Sequence, residues 1–180
     1  AVITANENGN YTGTREITFN ILRQDINGAT VSKIPDYDYT GSAILPDPVV
    51  YFNGTRLGKG KDYVLQNNPN YGNNVKAGVA WVVIQGIGNY TGVKADATFR
   101  IKANLEKATV STVSNQIYTG KEVKPAVSVV CGGNVLTAGK EYEITYGNNI
   151  RPGDAYMILT PTEEYSGLYT GSYVLRFSIC

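Results

Sequence analysis

GNYTG occupies residues 9–13 and returns unchanged at residues 88–92. Five identical residues at a fixed distance are the mark of a repeat architecture, and the rest of the chain can be laid against that period. Tyr39 and Tyr118 each open a YTG and lie 79 residues apart, the distance that also separates Tyr11 from Tyr90 and Pro46 from Pro125. GKGKDYVL at 58–65 matches TAGKEYEI at 137–144 at the same offset. YGNNVKAGVAWVVI from Tyr71 matches YGNNIRPGDAYMIL from Tyr146 at an offset of 75, which places an insertion of four residues in the QNNPN segment of the earlier copy. Phe99 and Ile101 match Phe177 and Ile179, and TEEYSG stands where the last copy would carry GIGNYTG. Residues 1–22 match only the end of this unit. The chain therefore reads as the C-terminal hairpin of a truncated upstream repeat (1–22) followed by complete repeats at 23–102 and 103–180.

Within each copy, Gly, Asn and Pro separate short runs rich in Val, Ile and Tyr, and no stretch has a helical period. In the last copy strands are expected near 108–112, 124–131, 142–147, 155–161 and 171–179. YVLRFSI alternates Tyr173, Leu175, Phe177 and Ile179 with Val174, Arg176 and Ser178, as EITFNI alternates Ile17, Phe19 and Ile21 with polar residues. One face of each strand is therefore buried and the other wet, a demand that two facing antiparallel sheets satisfy. The expected fold is all-β: tandem small Ig-like β-sandwich repeats, joined by short polar connectors at 22–27 and 102–107. A β-grasp-like single curved sheet is the alternative, disfavoured because no crossover helix is visible.

The quoted residues resemble a repeat of large surface and secreted proteins of Gram-positive, clostridia-like bacteria. Such repeats carry Tyr-Thr-Gly, then a Gly-x-Asp/Glu-Tyr turn, Asn-Asn, and Gly-Asn-Tyr-Thr-Gly. The resemblance runs over essentially the whole chain. It implies an extracellular spacer or adhesin-like segment of a cell-surface protein, with neighbouring repeats, a glycan or a host surface protein as partners. It carries no catalytic residue and no cofactor.

Composition agrees with a non-catalytic reading. Lys and Arg number 16 against 15 Asp and Glu, so there is no basic surplus for nucleic acid. No apolar run reaches membrane-spanning length, so no membrane insertion is expected. Histidine, the usual general base and zinc ligand, is absent. Asp36 and Asp38, two residues apart and so able to share a face, are candidates for a weak calcium site, with solvated loop acids the favoured reading. Glu163 and Glu164, adjacent in sequence, make a poor catalytic pair. Asn10, Asn53 and Asn89 head N-x-Thr sequons, two of which are the repeat's own turn. Lys33 and Lys107 are the lysines considered for an isopeptide crosslink, disfavoured because residues 172–178 offer no Asn.

Two further pairs are singled out. Ala80, Val82 and Ile84, with Ala155, Met157 and Leu159, form the uniformly apolar face, which turns Trp81 and Tyr156 outward as candidate ligand-stacking aromatics; strand packing or module contact is the commoner role for such residues. Cys131 is expected near the core and Cys180 outside it. An extracellular location favours a Cys131–Cys180 disulfide, although the strand geometry does not obviously unite the two.

Overall fold

The structure, a computed structural model, describes residues 1–65 and 71–180; the insertion read into QNNPN falls at 66–70, outside the described residues. The protein is all-β, and each repeat is two sheets closed on one apolar core. In the first complete repeat Thr30–Val31, Val50–Phe52 and Thr55–Arg56 make a small antiparallel sheet. It faces a larger sheet in which Gly78–Gly86 pairs with Val93–Asn104 on one side, and with Tyr63–Leu65 and Tyr71–Gly72 on the other. Tyr37–Asp38 runs parallel to the end of the long strand, Tyr37 opposite Ile101.

The second complete repeat copies this plan. Thr109–Val110, Val129–Cys131 and Asn134–Leu136 face Tyr142–Gly147, Gly153–Pro161 and Tyr173–Ile179. Gln116 makes the matching parallel bridge to Ile179.

Alternation places the core as the sequence pattern demands. Ala80, Val82 and Ile84, and likewise Ala155, Met157 and Leu159, are fully buried. Ile26, Val50, Tyr63 and Ile101 close the first core, and Leu105, Val129, Tyr142 and Ile179 the second. A fully buried aliphatic side chain contributes about 1.5–3 kcal/mol, so each core is the main stabilising term of its own repeat. Between Val82 and Ile84 the pairing with the long strand shifts, because TGVKADATF carries one residue more than TGSYVLRF before the shared Phe.

Three sequence expectations need correction. The last repeat keeps the turn with Leu168 in place of the Asn: Tyr90–Thr91 corresponds to Tyr169–Thr170 of GLYTG at 167–171. TEEYS is an added 3-10 turn, Glu163–Tyr165, ahead of it. The strand expected at 124–131 begins only at Val129, because the Pro125 and Val127 carbonyls accept from Tyr146 and Tyr142 hydroxyls and Val123 pairs with Asn149. Finally, the connectors are ordered structure, as described below.

The N-terminal hairpin stands apart. Val2–Thr4 pairs with Thr14–Glu16, and among the described residues no hydrogen bond ties residues 1–22 to either repeat. Ile3, Phe19 and Ile21 are exposed. From the sequence this apolar face is expected to pack on the following copy or, by edge pairing, on a neighbouring molecule, or to complete a rephased domain with residues 29–67. Within the chain neither the following copy nor residues 29–67 covers it. The reason is competition: Gly78–Gly86 and Val93–Asn104 already cover the sheet that residues 30–56 offer.

Candidate functional site

The long strand does not stop at the repeat boundary. Val93–Asn104 continues into the second complete repeat, where Ala103 and Asn104 pair in parallel with Tyr169 and Thr170. A 3-10 turn, Leu105–Lys107, follows at once, its second amide capped by the Asn104 side chain (Glu106 N to Asn104 Oδ1, 2.9 Å). Leu105, driven inward by that turn, is fully buried in the new core. Gln24–Asp25 and Ile26–Gly28 do the same for the preceding repeat, with Asp25 as the cap and Ile26 as the buried anchor.

This arrangement explains why GNYTG is a repeated word. Its Tyr-Thr forms the short strand that grips the incoming chain. Its last Gly lies where a Cβ would run into the capping side chain, Asp25 for Gly92 and Asn104 for Gly171, and both glycines have positive φ. The Arg23 guanidinium also donates to the Tyr90 carbonyl.

The two complete repeats dock at the same place. The turn between Val129–Cys131 and Asn134–Leu136 presses Gly132 against the first repeat, where Ala77 N–H donates to the Gly132 carbonyl at 2.8 Å. A Cβ on Gly132 would overlap Ala77 and come within 2.8 Å of the Ala103 Cβ. Asn134 Nδ2 donates to Ala77 O at 2.8 Å and to the Tyr169 hydroxyl at 3.2 Å. Tyr169 is buried, and its phenol pKa is pushed up by that burial, so it stays a neutral hydrogen-bonding group. Ala77 belongs to the core cluster of the repeat that follows it. Lys102, on the long strand, holds Asp36 at 2.7 Å, and its hydrogen bond lowers the Asp36 pKa.

Comparison of the chain with family models, curated proteins and solved structures returned no match. The geometry must speak for itself. It separates the singled-out residues widely. Trp81 and Tyr156 stand on the outer faces of their sheets, each directly across from a glycine, Gly72 and Gly147. A Cβ on either glycine would lie inside the aromatic ring, so the rings lie over bare backbone. Trp81 keeps 41% of its surface exposed.

Cys131 is buried at the N-terminal pole of its repeat, with its thiol pKa raised by burial, and its Sγ sits 3.5 Å from Asn104 O. Cys180 is exposed at the opposite pole, pairing its backbone with Gln116 and Tyr118. Both are free thiols, so the Cys131–Cys180 disulfide is not formed; the length of the repeat lies between them.

Asp36 is taken up by Lys102, whereas Asp38 makes no ion pair or hydrogen bond through its side chain among the described residues. Glu163 and Glu164 lie exposed in the added 3-10 turn. Among the described residues no three acidic or Cys side chains gather as a metal-binding group, and no helix is long and apolar enough to cross a membrane.

The junction contacts are what sequence reasoning missed. Their one signal was in view: GNYTG, Asn-Gly or Gly-Gly turns, and the capping Asp or Asn recur together, at the pole where one repeat begins.

Proposed function

We propose that the chain is a non-catalytic spacer or adhesin-like segment of an extracellular, bacterial cell-surface protein, built from tandem Ig-like sandwiches. The observation that carries this reading is the docked junction. The chain enters each complete repeat at one pole and leaves at the other, and the junction joins successive repeats by a continuous strand, an Ala77–Gly132 backbone bond and the Asn134 fork. Repeats coupled only to their neighbours add length with copy number, which suits projection away from a surface. Two separate sheets closed on one core in each repeat support an Ig-like plan over a single curved sheet. The YTG-type resemblance supplies the bacterial-surface setting.

Trp81 and Tyr156 underlie the other reading, a carbohydrate-binding module using exposed aromatics. Each already covers a strand glycine, so packing accounts for its presence.

The test is display. An epitope placed before Ala1, with the C-terminal side anchored to a bacterial surface, should be reached by antibody far better than with a flexible Gly/Ser linker of equal length. Equal accessibility of the two would contradict the spacer role. A specific signal on a glycan array that Trp81→Ala abolishes would favour the carbohydrate reading instead.

A further inference from the structure

The junction between the complete repeats encloses a cleft of about 430 Å³, within the size range of small-ligand sites, roughly 300–1,000 Å³. Its walls come from both repeats. Asp38, Tyr39 and Lys102 stand on one side, Lys107 and Thr170 on the other, and the continuous strand at Ala103–Asn104 forms the floor.

The space has a cause in the sequence. At the preceding boundary Phe52 occupies the position of Cys131, packing its ring edge-on to Tyr90 and over Gly28. In the later repeat the ring is replaced by Cys131, and Lys107 stands where Gly28 was, so bulk is lost from the wall and a polar head is added at the rim.

The cleft is also held open by fixed parts. Tyr39 N–H donates to Lys102 O at 2.7 Å, the Tyr39 ring lies against Gly133, and Lys102 is pinned by Asp36. Yet three of its polar groups have no partner in the protein: the Asp38 carboxylate, the Lys107 ammonium and the Thr170 hydroxyl make no side-chain hydrogen bond or ion pair among the described residues.

Charge narrows the ligand. Lys102 is neutralised by Asp36 outside the cleft, which leaves the Asp38 carboxylate against the Lys107 ammonium in the lining, so a phosphate meets Asp38 and a metal ion meets Lys107. A neutral ligand rich in hydroxyl groups suffers neither repulsion. Its hydroxyls can donate to Asp38, accept from Lys107 and do both with Thr170, while an apolar ring face rests on Tyr39.

We infer that the inter-repeat cleft is a binding site for a neutral sugar of one or two rings, read jointly by Asp38 and Thr170 across the junction with Lys107. This site is distinct from the outer-face aromatics and is formed only when the repeats are docked.

The test titrates the full chain with glucose, galactose, mannose and N-acetylglucosamine, and their β-linked disaccharides, following backbone amide resonances. At least one sugar should shift the amides of Ala103, Asn104, Gly132 and Thr170 saturably. Asp38→Ala and Lys107→Ala, both at exposed positions without partners, should each weaken that binding about tenfold or more, the loss of one hydrogen bond to a charged group. Trp81→Ala should leave it unchanged. The inference is overturned if no sugar of the panel moves these amides or if either variant binds as tightly as the parent. It fails equally if inorganic phosphate or calcium moves them where the sugars do not.

Discussion

Single residues explain most of the repeated words. Tyr63 and Tyr142 donate to Pro48 O and Val127 O, and Tyr71 and Tyr146 to Pro46 O and Pro125 O at 2.9 and 3.0 Å. In YGNN, the first Asn takes positive φ (50° at Asn73, 55° at Asn148), a conformation that Asn tolerates better than other side chains. The second Asn reaches back to the segment after YTG, with Asn74 Nδ2 on Ile44 O at 3.2 Å and Asn149 Nδ2 on Val123 O at 3.1 Å. Asn149 is 7% exposed and Asn74 more so. Asn149→Ala should therefore cost about 1–3 kcal/mol, through loss of a hydrogen bond from a buried amide and an unpartnered half-buried carbonyl, and Asn74→Ala less; urea unfolding of the two variants measures both. The tyrosines and asparagines were legible as a pattern, but their partners were not. Each bond joins residues 15 to 30 positions apart through a loop without periodicity, and nothing local in sequence marks the accepting carbonyl.

Elements were legible where one face is buried and the other wet. Gly78–Gly86, Gly153–Pro161 and Tyr173–Ile179 obey that alternation, and the core follows. Two-residue strands such as Gln24–Asp25 carry no period and have the sequence of connectors; tertiary pairing alone makes them strands. The aromatic–glycine pairs are a second case of cross-strand information. Gly147→Ala should destabilise the second complete repeat by about 1–3 kcal/mol, as overpacking does. Tyr156→Ala in the same chain should recover part of that loss, because the added Cβ then meets no ring. Additive losses in thermal unfolding would show that the ring and the glycine are not coupled. The N-terminal hairpin keeps its facing alternation but pairs Ile3 with Arg15, two positions from the register of Met157 with Leu175. A slip of two residues preserves which side chains share a face, so pattern could not reveal it. Since the hairpin makes no hydrogen bond to either repeat among the described residues, removing residues 1–22 should leave the melting temperature of the remainder unchanged by calorimetry.

For the whole molecule, ionisation makes a clear statement. There is no histidine, and Tyr63, Tyr71, Tyr142, Tyr146 and Tyr169 all have phenol pKa values raised by burial. A folded pKa above the unfolded one gives stability that is complete below the unfolded value of about 10 and lost as pH rises through the folded one. The melting temperature should therefore be nearly flat across neutral pH and fall above about pH 10, together with the rise in tyrosinate absorbance. On the acid side the lowered Asp36 pKa has the opposite sign: its small contribution, from a half-exposed pair, disappears as pH falls through the carboxylate range.

The repeat junction is the feature on which the spacer reading rests, and Pro152 limits its reuse. Pro152 occupies the position of Ala77 in the later repeat, and a proline has no N–H to offer a following turn. An identical docking bond cannot form there. Small-angle scattering of the parent chain beside Gly132→Glu and Asn134→Ala tests the junction most directly. Docked, in-line repeats should give a radius of gyration well above the roughly 16 Å of a compact chain of 180 residues, with the profile of a stiff rod. Both variants should broaden that profile as the repeats swing apart. A parent value near the compact figure, or a parent profile already as broad as that of Gly132→Glu, would contradict the docked junction.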